Sequence, residues 1–254
     1  MAILAMDTSQ GALALACGDM DGHLLASWTT NAQKMHATLL NPLIDEMLSA
    51  CKLDVSDVKG IIVGDGPGSY TGVRMAVTAA KVLAFTLKVP VVSMSSLSAA
   101  AFRARSPQTI VACLWDARRN EAYVGGYHAG EGVWECVFSE QKMPYELAVK
   151  GLYEQAATLG SASLLLLGDG AVRAKEIGAS FGFDIPSFIY DDTNTVYADA
   201  LYWLGLASVK ERLSAKGEGE LEKDAHALVP RYLQLAEAEA RWRIKEWGSL
   251  HDGP

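Results

Sequence analysis

Two apolar runs in this chain end in the same three residues: GIIVGDG at 60–66 and LLLLGDG at 164–170. Each Gly-Asp-Gly has an aspartate upstream that closes an earlier apolar run, Asp7 after AILAM and Asp116 after TIVACLW. Asp7 precedes Gly64 by 57 residues, and Asp116 precedes Gly168 by 52. The elements in between also repeat. In the first half come a strand at 2–6, two strand-like runs around Asp21-Gly22, a helix from His36, the GIIVG strand and a second helix. That first helix repeats Leu39, Leu40, Leu43, Ile44, Met47, Leu48 and Cys51 at the i, i+3, i+4, i+7 spacing of an amphipathic face. In the second half come TIVACLWD, EAYVGGYH and GVWECVF as strands, a helix over 145–159, the SLLLL strand and AVRAKEIGAS as a helix. A Gly-Asp-Gly after a strand is an ordinary loop by itself. Element order and spacing together argue for a duplicated β-β-β-α-β-α unit and an α/β fold of two lobes.

Ser106-Pro107 marks the boundary, giving lobes at 1–104 and 105–215. A last helix over 195–213 is expected to pack back on the first lobe. SAKGEGELEKD reads as a linker or exposed loop, which makes 216–254 a linker and C-terminal extension. Half of the 254 residues are apolar, enough for a sizeable core, yet no apolar run is long enough to cross a bilayer. With no signal-peptide pattern at the start, a soluble cytoplasmic protein without membrane contact is expected. The net charge of −8 argues against nucleic-acid binding by bulk charge. Cys17, Cys51, Cys113 and Cys136 show neither metal nor redox spacing and are expected to be buried, reduced thiols.

The loop GDGPGSYTGVR fits neither common phosphate template. No lysine stands where a P-loop needs one, and Ser69 and Thr71 stand where a dinucleotide fingerprint needs glycine. Gly66-Pro67-Gly68 suits a sharp strand-to-helix turn. Whether the helix start also holds an anion is left open by the residues. The helix that follows is apolar on two sides. Val73, Ala76, Val77, Ala80, Leu83, Ala84 and Leu87 form one face, and Met75, Ala79, Val82 and Phe85 extend it. The second side needs either a helix of this chain, such as 37–51, or a helix of another chain. Asp7-Thr8-Ser9 and Gly168-Asp169-Gly170 are the candidate phosphate loops, facing one another across a cleft.

Asp7-Thr8-Ser9, GDGPGSYTGVR, Asp116-Ala117-Arg118-Arg119 and Val229-Pro230-Arg231-Tyr232-Leu233 together resemble the bacterial TsaB family, also called YeaZ. The resemblance runs from Met1 to about Leu233, and GPGSYTGVR is its most specific piece. It implies the actin-like ATPase (ASKHA, RNase H-like) fold. It also implies a non-catalytic subunit in making N6-threonylcarbamoyladenosine, at the adenosine 3′ of the anticodon in tRNAs reading codons that begin with A. The partners implied are TsaD, which transfers the threonylcarbamoyl group, and the ATPase TsaE. tRNA would be met only through the complex, and a homodimer could form without TsaD. The partner interface implied lies on His36, Leu40, Gly66, Pro67, Gly68, Ser69, Tyr70, Thr71, Gly72, Val73, Arg74, Val77, Ala80 and Lys81.

TsaD-type enzymes carry a His-x-x-x-His metal pair. Here His36 is followed four residues on by Leu40, so the pair is broken and no metal site or catalytic residue is expected. No cofactor is expected to be required, with ATP or ADP and Mg at the cleft or the TsaD interface left open. Two other functions stay open on the residues. An ATP-dependent phosphotransferase would use Asp7 or Asp116 as base. A glycoprotease-like (M22) peptidase is less supported, since no activated nucleophile is visible.

Overall fold

The computed structural model describes residues 1–31, 36–130, 133–161, 163–182, 195–215 and 217–233. The first lobe carries β1 (Ala2–Asp7), β2 (Leu13–Asp19), β3 (Leu24–Thr30), α1 (His36–Ala50), β4 (Val58–Gly64), α2 (Tyr70–Leu87), β5 (Val91–Met94) and α3 (Ser96–Phe102). The second carries β6 (Thr109–Asp116), β7 (Glu121–Gly130), β8 (Val133–Pro144), α4 (Tyr145–Thr158), β9 (Ser163–Leu167) and α5 (Ala171–Ser180). Two further helices follow, α6 (Ala198–Ala215) and α7 (Glu218–Ala227).

The sheets repeat one plan, with strand order β3-β2-β1-β4-β5 in the first and β8-β7-β6-β9 in the second. In each, the opening three strands pair antiparallel and the strand after the first long helix returns parallel to the opening strand. The central strands are mostly apolar, with both faces covered. Leu4 and Met6 of β1 join the core under α1 and α2, while Ile3 and Ala5 face the other way. In β6, Ile110, Ala112 and Leu114 face α4 and α5, and Val111, Cys113 and Trp115 face the middle layer. That middle layer holds α3 and α6, packed between the two sheets. α6 lies on β1, β2, β4 and β5 of the first sheet. Gly205 allows the close approach there, since a Cβ on it would stand 2.8 Å from Ile62.

Two expectations need correction. Residues 218–227 form a helix where a linker was expected. α7 buries Leu221 and Ala225 against α2, and Lys81 Nζ donates to the carbonyls of His226 and Leu228 at its end, both at 2.9 Å. A cation there satisfies carbonyls that the helix leaves open. The thiols also differ from the expectation: Cys17 and Cys113 are buried, Cys51 is half-buried and Cys136 is exposed. Residues 234–254 lie outside the described residues.

Candidate functional site

Asp7 ends β1 and Gly64 ends β4, and a Cβ on Gly64 would stand 1.7 Å from the Asp7 carboxylate. That carboxylate is buried and accepts from the Ser9 amide at 2.7 Å, the Ser9 hydroxyl at 2.6 Å and the Ser96 hydroxyl at 2.5 Å. The Thr8 hydroxyl donates to the Gly72 carbonyl at 2.6 Å and accepts from the Ala76 amide at 3.2 Å. Gly72 is inside α2, and a Cβ on it would meet the Thr8 carbonyl at 2.0 Å. The glycines of the first loop therefore let two segments of this chain touch. Ser69 caps α2 by accepting from the Gly72 amide, and Gly66, at φ +105, makes the turn before the cis Gly66-Pro67 bond.

The second loop is built differently. The Asp169 carboxylate accepts from the Asp116 amide at 2.8 Å, and the Gly170 amide donates to the Leu114 carbonyl at 3.0 Å. Asp116 itself is exposed. The Tyr145 hydroxyl lies 3.4 Å from it, and burial, with the Asp116 charge second, pushes that phenol well up.

Between the lobes opens a cleft of about 700 Å³. Its walls include Gly68, Ser69 and Tyr70 from the first lobe and Asp116, Arg118 and Arg119 from the second. The expected phosphate residues do not line it. Asp7, Thr8 and Ser9 are buried and hydrogen-bonded within the protein, while Gly168, Asp169 and Gly170 lie off its walls. A Mg-nucleotide of the kind the fold family implies therefore does not fit the first loop. Three residues in the turn after β6 stand in the left-handed region, Arg118 at φ +64, Arg119 at +53 and Asn120 at +65. Non-glycine residues adopt it at a cost of roughly 1 kcal/mol or more each.

The C-terminal segment closes one side of this cleft. The Arg231 amide donates to the Asp65 carbonyl at 2.8 Å, and its Nη2 lies 3.2 Å from both Asp65 Oδ1 and the Gly66 carbonyl. Nη1 lies 2.9 Å from Glu140 Oε2, out of line for a hydrogen bond, so Arg231 ties the first loop to β8 by charge. Burial outweighs the Arg231 charge at Asp65 and pushes its carboxyl up to about 6. Next in sequence, Tyr232 stacks on Tyr70 with centroids 5.1 Å apart.

On the outer face of the first lobe, a second hollow of about 830 Å³ runs between α1 and α2. Leu40, Ile44 and Leu48 form one wall, with Met75, Thr78 and Val82 on the other. Val82 is 59 % exposed and Tyr70 is 54 % exposed.

Of the expected interface residues, Leu40, Tyr70, Thr71 and Arg74 line this groove, and Pro67, Gly68, Ser69 and Val73 line the cleft instead. Gly66 and Gly72 are buried, and Lys81 serves α7. Val77 and Ala80 face the sheet in the core, so they are not on a docking face. The side chain of His36 lies outside the described residues. Apolar residues run round α2, so periodicity alone does not separate the stripe that meets the sheet from the stripe left outward. Size was the missed signal: Gly72, Ala76, Ala80 and Ala84 are the small residues that a sheet approaches closely, leaving the larger Met75 and Val82 outward.

The family model described as TsaD, tRNA N6-adenosine threonylcarbamoyltransferase, matches residues 29–242. The tRNA threonylcarbamoyladenosine biosynthesis protein TsaB of Bacillus subtilis is 32% identical over 246 residues, 95% of this chain and 98% of that relative. TsaB of Escherichia coli is 30% identical over 189 residues, covering 68% of this chain and 80% of its own length. A crystal structure from Pseudomonas aeruginosa, described as similar to peptidase YeaZ, superposes with a TM-score of 0.70 at 27% identity, covering 92% of this chain and 99% of that one. The duplicated lobes thus form an actin-like (ASKHA) fold, and the chain belongs to the TsaB (YeaZ) family.

Proposed function

We propose that this chain is a non-catalytic subunit that docks on TsaD through the α1–α2 groove and, with TsaE, supports threonylcarbamoyl transfer to tRNA. The chain takes part in tRNA threonylcarbamoyladenosine biosynthesis, the role its named relatives carry. The observation behind the docking reading is the groove itself. Met75, Ala79 and Val82 offer apolar surface over the buried Leu40 and Ile44, beside the exposed Tyr70 and Arg74, on a helix pair anchored to the sheet. Apolar hollows of this size on a surface mark interaction sites. Two observations support a supporting rather than a catalytic role. The carboxylate and hydroxyls of the first loop are engaged inside the protein, and Leu40 stands where the second metal histidine of a TsaD-type pair would be. No cofactor is needed for this role.

The test is reconstitution of the tRNA modification from purified TsaD and TsaE, with and without this chain. Modification should require the chain, and the chain alone should turn over negligible ATP. A homodimer through the same groove in the absence of TsaD is part of this reading, and sedimentation at rising concentration checks it. A phosphotransferase remains the second reading because Asp116 is exposed in the cleft. Vigorous ATP turnover by the isolated chain, abolished in Asp116→Asn, would favour it instead.

A further inference from the structure

We infer that Cys17 and Cys51 form a redox-sensitive pair, which hydrogen peroxide oxidises to an intramolecular disulfide. Both thiols are reduced in the structure and lie 34 positions apart in sequence. Folding brings them together, and the Cys17 side chain hydrogen-bonds to Cys51. They share the core under α1 and α2, with Cys17 buried inside it and Cys51 packed against it. The other two cysteines stand in the second lobe, Cys113 on β6 and Cys136 on β8.

The backbone fixes both positions. Cys51 directly follows the last residue of α1. Just beyond it, the Lys52 amide donates to the Ser49 carbonyl and the Leu53 amide to the Leu48 carbonyl, both at 2.9 Å, with Lys52 at φ +58. These two bonds make a left-handed helix stop, and Leu48 and Leu53 at its ends join the same core as the thiols. Cys17 sits in β2 between Leu4 of β1 and Ala26 of β3, where the β2–β3 register shifts. A disulfide tolerates little backbone movement, so two sulfurs held together from hydrogen-bonded positions meet its first requirement.

The thiols differ in access, and access sets the order of reaction. Cys17 is closed off from solvent, and burial, with the Cys51 sulfur second, pushes its thiol up to about 12. Cys51 is half-buried and within reach of a small uncharged oxidant. Its thiolate attacks one oxygen of the peroxide and the O–O bond breaks. Cys51 becomes a sulfenic acid, and the other oxygen leaves as hydroxide and takes a proton to form water. The Cys17 sulfur then attacks the Cys51 sulfur. The S–O bond breaks, and the Cys17 proton leaves with the hydroxyl as a second water. The two thiols give up two electrons, and one peroxide becomes two waters.

The new bond would tie the end of α1 to β2, one turn beyond Leu48, whose side chain lines the α1–α2 groove. Oxidation thereby fixes one wall of that groove to the sheet. The pair itself does not depend on docking to TsaD.

The experiment uses the full chain alone. The reduced chain is freed of reductant, treated with hydrogen peroxide, alkylated and mapped by mass spectrometry. The expected result is a loss of two hydrogens per chain, a linked peptide joining Cys17 to Cys51, and reversal by dithiothreitol. Cys51→Ala should abolish the link. Cys17→Ala should leave Cys51 as a sulfenic acid that dimedone captures. Cys136→Ser should form the link as the parent does. The inference is overturned if the parent loses no hydrogens, if its link runs through Cys113 or Cys136, or if Cys51 passes straight to the sulfinic acid. These three readings come from the parent chain, so they hold whether or not a variant folds. Because TsaD is absent, such a failure is separate from any failure of the reconstitution.

Discussion

The two aspartates that end the opening strands of the lobes, Asp7 of β1 and Asp116 of β6, occupy the same place and do opposite things. In the first lobe, Asp7, Thr8 and Ser9 are buried, and their polar atoms hold β1 to α2 and to the start of α3. In the second, Asp116 stays exposed beside two arginines. Duplication supplied one backbone plan twice. The first copy became a mount for α2, whose outer side lines the α1–α2 groove. The second kept its polar ends at the cleft. Loop sequence alone does not distinguish these fates, because they depend on what fills the space behind each glycine.

The largest expected effect of breaking this contrast is at Gly64. A Cβ there has no room beside a carboxylate held by three donors, so Gly64→Ala should lower stability by about 3 kcal/mol or more in urea denaturation. In Gly170→Ala the nearest obstruction is the hydroxyl end of Tyr145, which can shift, and about 1 kcal/mol is expected. Equal losses would show that the Tyr145 hydroxyl is held as firmly as the Asp7 carboxylate.

Asp7→Asn and Asp116→Asn compare the two aspartates directly. Asp7→Asn disturbs buried donors and should cost about 2 kcal/mol. Asp116→Asn should change thermal stability by no more than about 0.5 kcal/mol.

The contrast that depends on pH concerns the Arg231 clasp. Asp65 moves from 3.8 to about 6 on folding. Between those values the folded chain holds a proton that the unfolded chain has lost. Its contribution therefore falls as pH rises from about 4 to about 6 and is flat above. The shift, which already includes the opposing pull of Arg231, bounds the effect at about 3 kcal/mol. Melting curves of Asp65→Asn should lack this slope, which the parent chain should show.

Much of the fold was legible because apolar runs and their interruptions are local. The Asp21-Gly22 hairpin, the amphipathic α1 and both loop-to-helix turns follow from neighbours in sequence, and Gly22 does take φ +102. α7 was not legible. Its glycines and charges read as a loop, and only tertiary contact with α2 makes Leu221 and Ala225 an apolar stripe. The Arg231 clasp could not be read either, since Asp65 is brought to it by the folded chain from 166 residues away. On α2, periodicity identified an apolar helix but not which of its faces stays exposed. Val77 and Ala80 belong to the sheet contact and Val82 to the exposed one.

The central claim is that the first lobe docks a partner through the outer face of α2. Its most direct measurement is tRNA modification with TsaD and TsaE when Val82→Glu replaces the parent chain, beside Val172→Glu on the exposed face of the second lobe. The account predicts that Val82→Glu folds normally, fails to co-purify with TsaD and lowers modification by at least about tenfold. Val172→Glu should behave like the parent. Full activity and intact TsaD binding in Val82→Glu would contradict it.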